Sequence, residues 1–575
     1  MRASPATAHR QPGGLALAGS PRPRPAARGP RRGPQPAAPR PRPGLRTAPL
    51  PVRPRREERW TLGHQSRLGA GLVLLVAAML TTSGFGPRAQ AAQMERPVAR
   101  AAQTGRAASA SVSPFAIRGV IEGYYGYSWS VAQTADILAF MGAHGMNTFV
   151  YAPKFDPYER AEWNKPYPPA QLASLAAMVH AAQRAGVDFV YSLSPGLSIV
   201  YSSPVDRAAV EAKFAQLRGI GVHTFMLSFD DVSDNLASPA DRQAYGNSIS
   251  RAQTALTNAI YASEIRSDPR FRLFFTPTDY WGTTPSIYFT HISHLNPAID
   301  VVWTGPGVVS PTITAAQADA IARLIGRPPL IWYNYPVNDW TVPTKELEQD
   351  PQHMQPQDMF LGPVKGLAPN LGTHVRGLLA NPMIEPFANE VPLATIAAYL
   401  NHPASYRPDP AWTAAIAAVA GREAGPFATF ARALSPYPEI LPVDRWYWTT
   451  TDAPADGLET AVLTAFAHDP AATLRAPAAD ALRTTFAAWV DDAPALGHLP
   501  NPALSAEIAP WVHWMALEGG DGLDAMALLH DLALHSPAAV GERLRVLADA
   551  RALNAAPVQF GGNLEGFLTQ VAKLR

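Results

Sequence analysis

From residue 113 to about residue 406, short apolar runs alternate with alanine-rich stretches in which apolar side chains recur every three or four positions. Eight of the runs are rich in β-branched and aromatic residues and predict β-strands; they occupy residues 116–126, 147–154, 188–196, 223–231, 272–280, 300–307, 330–336 and 375–382. The intervening stretches, such as VAQTADILAFMGAHG, predict helices that end near a glycine, where a C-cap is expected. Eight strand–helix units predict an α/β fold, a (β/α)8 TIM barrel, with an open doubly wound sheet as the alternative.

Beyond about residue 406 the chain keeps only the helical periodicity. Segments such as LETAVLTAFAHD and ADALRTTFAAWVDD are alanine-rich and carry apolar residues at helical spacing. The pattern therefore predicts four parts: a leader with a signal peptide at 1–92, a linker at 93–113, the barrel at 114–406 and a C-terminal α-helical domain at 407–575.

The leader is rich in proline and arginine and carries few large apolar side chains, so it is predicted to be disordered. Near its end an apolar run from Leu68 to Leu80 follows a basic residue and precedes Ala89-Gln90-Ala91, a small-x-small cleavage pattern. This predicts a secreted, extracellular protein with no stable membrane span after processing. A signal-anchor is the alternative, although the run is short for a span of about 20 residues.

Composition narrows the chemistry. The 575 residues include no cysteine, which excludes disulfides, thiolate nucleophiles and cysteine-based metal sites. The net charge is only +2 and the basic residues crowd the N-terminal leader, so no nucleic-acid partner is expected.

Polar and aromatic residues stand at the carboxyl ends of the predicted strands. They are Glu122, Tyr124, Tyr125, Lys154, Asp156, Ser194, Asp230, Asp231, Asp279, Tyr280, Trp303, Trp332, Asn334 and Asn381. In (β/α)8 barrels this face carries the active site, and aromatic rings with amides and acids indicate a sugar site. Because the strand ends carry neither a histidine cluster nor a glycine-rich phosphate loop, we expect no metal and no cofactor. Taken singly, Glu122 and Asp156 are better explained as strand-end caps or salt-bridge residues and Lys154 as a solvated lysine. Trp303 and Trp332 are explained equally well as barrel packing.

Two adjacent aspartates, Asp230 and Asp231, end the fourth predicted strand. Neighbouring like charges repel, which favours a catalytic use over an N-cap for the following turn. Glycosidases of the usual kind place two carboxylates on opposite sides of the scissile bond, about 5 to 9.5 Å apart, which adjacent residues cannot readily do. They can, however, act from one side, one protonating the leaving oxygen while the other contacts a 2-acetamido group whose carbonyl oxygen is the nucleophile. The pair therefore favours substrate-assisted catalysis.

The motifs RGVIEGYYGYSWS, YAPKFDPYERAEW, SFDD, PTDY, VVWTGPGVVS, WYNYPVND and GLLANPMIEPFANE run in order across the predicted barrel. In these motifs the chain resembles glycoside hydrolase family 84, the β-N-acetylglucosaminidases that include O-GlcNAc hydrolases. The resemblance implies that Asp230 polarises the acetamido group and that Asp231 is the general acid and then the general base.

The resemblance further implies seven substrate-binding residues: the Gly123 backbone and Lys154 for a sugar hydroxyl, Tyr280 and Asn334 around the acetamido group and the reacting centre, Trp332 as the wall of the acetamido pocket, and Asp339 and Asn381 for hydroxyls O4 and O6. Two positions depart from the family pattern. Phe155 stands where a second aspartate is usual and Glu159 where a histidine or a similar residue is usual, so the ion pairing near Lys154 is expected to differ.

The sequence thus predicts a secreted, cofactor-free, retaining exo-β-N-acetylglucosaminidase whose partner is a glycan or glycoprotein that bears β-linked GlcNAc. Within the enzyme class, the alternative is a hyaluronidase-like hydrolase of GlcNAc-containing polymers, which would need an open cleft. From another class, the alternative is a catalytically idle sugar-binding module.

Overall fold

The computed structural model describes residues 113–342, 356–440, 448–450, 453–553, 556–558 and 560–574. The predicted leader, its apolar run and the linker as far as residue 112 lie outside these residues. Among the helices of the described part of the chain, none is both long enough and apolar enough to cross a membrane.

Eight parallel strands form a closed barrel in chain order. They are β1 Ile117–Glu122, β2 Thr148–Tyr151, β3 Asp188–Leu193, β4 Thr224–Ser228, β5 Arg272–Thr276, β6 Asp300–Trp303, β7 Leu330–Tyr333 and β8 Gly377–Ala380. The barrel closes where β1 pairs with β8, with Ile117 opposite Gly377. An added Cβ at Gly377 would lie 2.2 Å from the carbonyl oxygen of Ile117, so this seam requires glycine. The predicted TIM barrel is confirmed, and closure excludes the open sheet.

Alternate residues of each strand point into the barrel, as the period of two requires. The interior layer is one apolar cluster contributed by every strand; its strand members are Ile117, Ile121, Val150, Val190, Met226, Phe274, Val302, Leu330, Trp332 and Leu379. Residues on the other face of each strand pack against the surrounding helices in a second, larger core. A barrel packed in this way leaves room for chemistry only at its rim.

The helices around the barrel are α1 Val131–Ala143, α2 Pro169–Ala185, α3 Pro204–Arg218, α4 Pro239–Tyr245, α5 Ile249–Ser267, α6 Ile287–Ile292, α7 Ala315–Ile325 and α8 Glu390–Asn401. Their ends follow local chemistry. Ser130 and Gln133 form a capping box at the start of α1, and Gly186 and Gly326 end α2 and α7 in the left-handed conformation. Three short 3-10 turns, Pro195–Leu197, Asp339–Thr341 and Leu371–Thr373, lie in the loops.

After the barrel the described chain is mainly helical, as predicted. The helices are α9 Pro408–Ala420, α10 Ala424–Ala433, α11 Pro454–His468, α12 Pro470–Thr473, α13 Pro477–Asp492, α14 Pro502–Ala533, α15 Ala539–Leu553 and α16 Leu564–Lys573, with 3-10 turns at Gly421–Glu423 and Ala493–His498. An antiparallel pair, β9 Pro438–Ile440 and β10 Trp448–Thr450, was not predicted. Glu507 of α14 accepts hydrogen bonds from the backbone N–H groups of Phe387 and Ala388, so the helical region contacts the segment between β8 and α8.

Candidate active site

All nine residues predicted for the site lie at the carboxyl ends of the strands, and their contacts join them into one network. Gly123 follows β1, Lys154 follows β2, Asp230 and Asp231 follow β4, Tyr280 follows β5, Trp332 lies in β7, Asn334 and Asp339 follow β7, and Asn381 follows β8. The residues come from six strands that are far apart in sequence. Closure of the barrel is what brings them to one rim.

Asp230 is a buried carboxylate held by a cation. Its Oδ2 atom pairs with Nζ of Lys154, and both side chains are almost completely inaccessible to solvent. Burial alone would raise the pKa of the Asp230 carboxyl, but the charges of Lys154 and Arg160 outweigh it and hold that pKa below its ordinary value. The second oxygen, Oδ1, is buried and has no hydrogen-bond partner within the described chain. Asp230 is therefore an ionised group with one acceptor left over.

Asp231 is set up differently. Its backbone has a positive φ of 53°, in the left-handed region that aspartate adopts more readily than most residues. The Tyr125 hydroxyl donates to its Oδ2 at 2.9 Å and the Tyr280 hydroxyl to its Oδ1 at 3.0 Å. The side chain is exposed, unlike that of Asp230. Because the two carboxylates contact different partners, their mutual repulsion is reduced. Neither aspartate is the N-cap of a helix, since the next helix, α4, begins only at Pro239.

The indole of Trp332 forms a wall beside these groups. Nζ of Lys154 lies 5.3 Å from the centre of the Trp332 ring, within the range of a cation–π contact. The edge of the indole fills the space that a side chain at position 123 would need, because a Cβ added to Gly123 would lie 2.3 Å from Cζ2 of Trp332. Glycine at position 123 thus lets the ring approach the backbone of the loop after β1.

We expect Gly123→Ala to leave the barrel folded and to lower kcat/KM, for the β-GlcNAc substrate that the family resemblance implies, by roughly 10²-fold. The reason is that the Trp332 indole must move, and a displacement of about 1 Å in an active site can have an effect of that size. Overpacking of this kind costs about 1 to 3 kcal/mol of stability, which thermal unfolding would register. The matched control is Gly520→Ala in α14, where an added Cβ meets nothing within 4 Å. Unchanged kinetics in Gly123→Ala would show that the position of the Trp332 ring is unimportant.

The other side of the site is a set of amides and one carboxylate. Asn381 accepts from the Gly123 N–H at 3.3 Å and donates to Asn334 at 3.0 Å, and Asn334 donates to the carbonyl oxygen of Val308 at 2.9 Å. Asp339 accepts from the Tyr125 N–H at 2.7 Å, and burial raises the pKa of its carboxyl to about 6. Tyr125 thereby links Asp339, through its backbone, to Asp231, through its hydroxyl.

Several other strand-end residues have structural contacts. Glu122 is fully buried and accepts from the Trp129 N–H at 2.9 Å, and burial raises the pKa of its carboxyl to about 8. Asp156 accepts from the hydroxyls of Tyr151 and Tyr167 at 2.8 and 2.6 Å. The buried indole of Trp303 donates to the carbonyl oxygen of Gly282, so this ring is barrel packing.

The two departures near Lys154 also have distinct surroundings. Glu159 is buried and accepts from the Ser194 hydroxyl at 2.6 Å; burial raises the pKa of its carboxyl to about 7. Phe155 is 37% exposed and meets the ring of Tyr125 edge-on, with centroids 6.2 Å apart. The ion pair of Lys154 is made with Asp230.

The predicted site omitted two residues that contact it. Tyr125 stands at the end of a predicted strand, but nothing in the sequence indicates that its hydroxyl contacts Asp231. Arg160 lies in the loop after β2, and its Nη2 atom donates to the carbonyl oxygen of Asp231 at 3.4 Å. No periodic pattern marks a loop residue, so only its closeness in sequence to Lys154 could have suggested it.

Chemically, the rim presents an ionised carboxylate with a free acceptor, a second carboxyl that is open to solvent, an aromatic wall, and side-chain amides that can exchange hydrogen bonds with a ligand. This arrangement suits a sugar with an amide substituent.

Comparisons with known proteins agree with this description. The sequence profile of the β-N-acetylglucosaminidase family matches residues 118–432, more than half of the chain. The protein O-GlcNAcase of Rattus norvegicus is 32% identical over 312 residues, which are 53% of this chain and 32% of that protein. The protein O-GlcNAcase of Mus musculus is 33% identical over 288 residues, 49% of this chain and 29% of that protein. The chain therefore spans roughly a third of the length of these relatives.

Among solved structures, that of a mutant O-GlcNAc hydrolase from Thermobaculum terrenum superposes with a TM-score of 0.70 at 27% identity. The match covers 80% of this chain and 95% of the other, so it extends beyond the barrel into the helical region. With the family profile spanning most of the barrel, the chain belongs to the β-N-acetylglucosaminidases of glycoside hydrolase family 84 and is a glycoside hydrolase by family.

Proposed function

We propose that the protein is a secreted, retaining exo-β-N-acetylglucosaminidase that uses the acetamido group of its substrate as the nucleophile. The observation that carries the proposal is the contrast between two adjacent carboxylates. Asp230 is buried in an ion pair with Lys154 and has one oxygen that accepts no hydrogen bond within the described chain. Asp231 is exposed and accepts hydrogen bonds from two tyrosine hydroxyls. Adjacent groups that differ in this way suit two different tasks on the same side of one sugar.

In the first step the carbonyl oxygen of the 2-acetamido group attacks the anomeric carbon. The bond from that carbon to the glycosidic oxygen breaks, and Asp231 gives its proton to the departing oxygen. Positive charge grows on the amide nitrogen as the oxazoline ring closes. Asp230, ionised and with a free acceptor, stabilises this charge through the amide N–H.

In the second step water attacks the anomeric carbon of the oxazoline from the face that the leaving group vacated. Asp231, now a carboxylate, takes the proton of the water, and its exposure to solvent supports this exchange. The ring opens to restore the acetamido group. Two inversions at one carbon give net retention of the β-configuration.

The remaining groups of the rim suit the rest of the sugar. The Trp332 ring would wall the acetamido methyl, Tyr280 and Asn334 would lie around the acetamido group, and Gly123 with Lys154 would hold a hydroxyl. Asp339 and Asn381 would take hydroxyls O4 and O6. A hydroxyl held by a side chain is not linked to another sugar there, which supports exo action on a terminal GlcNAc.

Secretion is supported by the apolar run from Leu68 to Leu80 and the small-x-small pattern that follows. Because two relatives are protein O-GlcNAcases, GlcNAc on a protein is one candidate substrate; host glycans and cell-wall fragments are others. Digesting each and quantifying the released sugar separates them. Release of single GlcNAc supports exo action, whereas oligosaccharide products would favour the hyaluronidase-like alternative.

The mechanism is tested by the configuration of the first product. With an aryl β-GlcNAc substrate, proton NMR during the first turnovers is expected to show the β-anomer, which later mutarotates. An initial α-anomer would refute an oxazoline intermediate. A complete lack of hydrolysis by the folded protein would instead favour the sugar-binding module.

A further inference from the structure

We propose that Arg160 is a positioning residue that sets the backbone of Asp231 and the charge of Asp230 together. The inference rests on the proposed function, since it assigns Arg160 to the two aspartates that carry that function. Arg160 lies in the loop between β2 and α2, and its Nη2 atom donates to the carbonyl oxygen of Asp231 at 3.4 Å. Its guanidinium carbon lies 5.6 Å from the centre of the Tyr125 ring, whose hydroxyl holds the Asp231 side chain.

The first part of the role concerns the conformation of Asp231. Aspartate adopts the left-handed region more readily than most residues, but φ 53° still costs free energy that the contacts around Asp231 must offset. Arg160 donates a hydrogen bond to the main-chain carbonyl of Asp231. It also packs against the ring of Tyr125, whose hydroxyl holds the Asp231 side chain. Arg160 thus supports both the backbone and the side chain of Asp231, the residue that is to deliver the proton.

The second part concerns charge. The Arg160 side chain is nine-tenths buried, and its Nη1 atom is buried without a hydrogen-bond partner in the parts of the chain that the structure describes. A buried donor left unpaired costs free energy, so the hydrogen bond to the Asp231 carbonyl does not by itself explain why an arginine stands here. Nearby carboxyl groups complete the explanation: burial alone would lower the pKa of Arg160, yet that pKa is raised, with Asp230, Glu159 and Asp231 among the causes.

The positive charge of Arg160 also acts on Asp230. The cations Lys154 and Arg160 together hold the pKa of Asp230 down against the effect of burial. The Asp230 carboxylate is in turn among the causes that raise the pKa of the Tyr125 and Tyr280 hydroxyls. A carboxylate with a lowered pKa stays ionised until the pH falls through that pKa. Removing the charge of Arg160 raises the pKa of Asp230, so activity must be lost at a higher pH than in the wild type.

The experiment compares Arg160→Met, Arg160→Lys and a matched control, Lys213→Met. Lys213 is also a buried cation that holds this loop, because its Nζ atom donates to the carbonyl oxygen of Tyr158 at 2.7 Å and lies 4.5 Å from the Tyr167 ring centre. It is not among the groups that shift the pKa of Asp230. The readout is kcat/KM against pH for an activated aryl β-GlcNAc, which needs little help from the acid, so that the acid limb reports Asp230 in the free enzyme.

Arg160→Met is expected to lose about 10²-fold in kcat/KM and to move the acid limb to higher pH. Arg160→Lys keeps the charge, so its acid limb should stay close to that of the wild type while the rate falls less. Lys213→Met should leave the acid limb in place even if it lowers stability. An Arg160→Met enzyme with an unmoved acid limb would overturn the proposal, and so would an Arg160→Lys enzyme whose limb moves as far as that of Arg160→Met.

If Arg160→Met does not fold, the lysine variant still tests the inference, because either a shifted acid limb or a wild-type kcat/KM in Arg160→Lys would contradict it. Failure here is distinguishable from failure of the proposed function. If only the role of Arg160 were wrong, the wild-type enzyme would still give the β-anomer first and would still hydrolyse the GlcNAc substrate far faster than the matching glucoside. If the substrate-assisted mechanism itself were wrong, that preference for the GlcNAc substrate would be missing.

Discussion

An aryl β-GlcNAc is expected to be hydrolysed at least ~10³-fold faster, in kcat/KM, than the aryl β-glucoside with the same leaving group. The reason is that the amide oxygen is the nucleophile, and a group held within the substrate can act at an effective concentration of about 10⁵ M or more. The enzyme offers no ready substitute from the pair at the end of β4. Asp230 and Asp231 approach from one strand end, and Asp230 is already bound to Lys154.

The matched control keeps the leaving group and changes only the amide. Replacing the acetyl group by mono-, di- and trifluoroacetyl makes the carbonyl oxygen a progressively poorer nucleophile, so log kcat/KM should fall steadily along the series. Similar rates for the glucoside and the GlcNAc substrate, or a flat fluoroacetyl series, would mean that the nucleophile comes from the protein.

The barrel could be predicted from the sequence because its signals are local. Each of the eight barrel strands lies inside its predicted segment; Thr224–Ser228, for example, falls within 223–231. The predicted segments run past the strands by a few residues, and those extra residues are the loop starts that carry Asp230 and Asp231. An apolar strand that ends in charged residues can therefore be recognised in the sequence without knowing which residues those charges contact.

The partners themselves could not be predicted. That Asp230 pairs with Lys154, 76 positions earlier, depends on how β2 and β4 are placed around the closed barrel. Asp339 follows β7 by six residues, in a 3-10 turn with no periodic signal, and only the family resemblance suggested it. The strands β9 and β10 were missed for another reason: each has only three residues, which is too short for an alternating pattern to stand out in the sequence.

Replacing each aspartate by asparagine should separate the two roles. Asparagine is the appropriate substitute because it keeps the shape of the side chain and, at position 231, tolerates the positive φ that alanine would adopt at a cost. Asp231→Asn cannot deliver a proton, so it should lose roughly 10²- to 10⁴-fold on substrates with poor leaving groups. On activated leaving groups, which need little protonation, the step that forms the oxazoline should be largely kept.

Asp230→Asn should behave differently, because positive charge grows on the amide nitrogen whatever the leaving group. Losing one preorganised electrostatic partner costs about 10²- to 10³-fold, and here the loss should be similar for every substrate. The measurement is log kcat/KM against leaving-group pKa for both variants, with thermal unfolding to allow for the broken pair with Lys154. A steeper slope for Asp230→Asn than for Asp231→Asn would reverse the assignment of the two roles. Wild-type rates in both variants would mean that neither carboxylate takes part in the reaction, in spite of the separate partners that the rim provides for them.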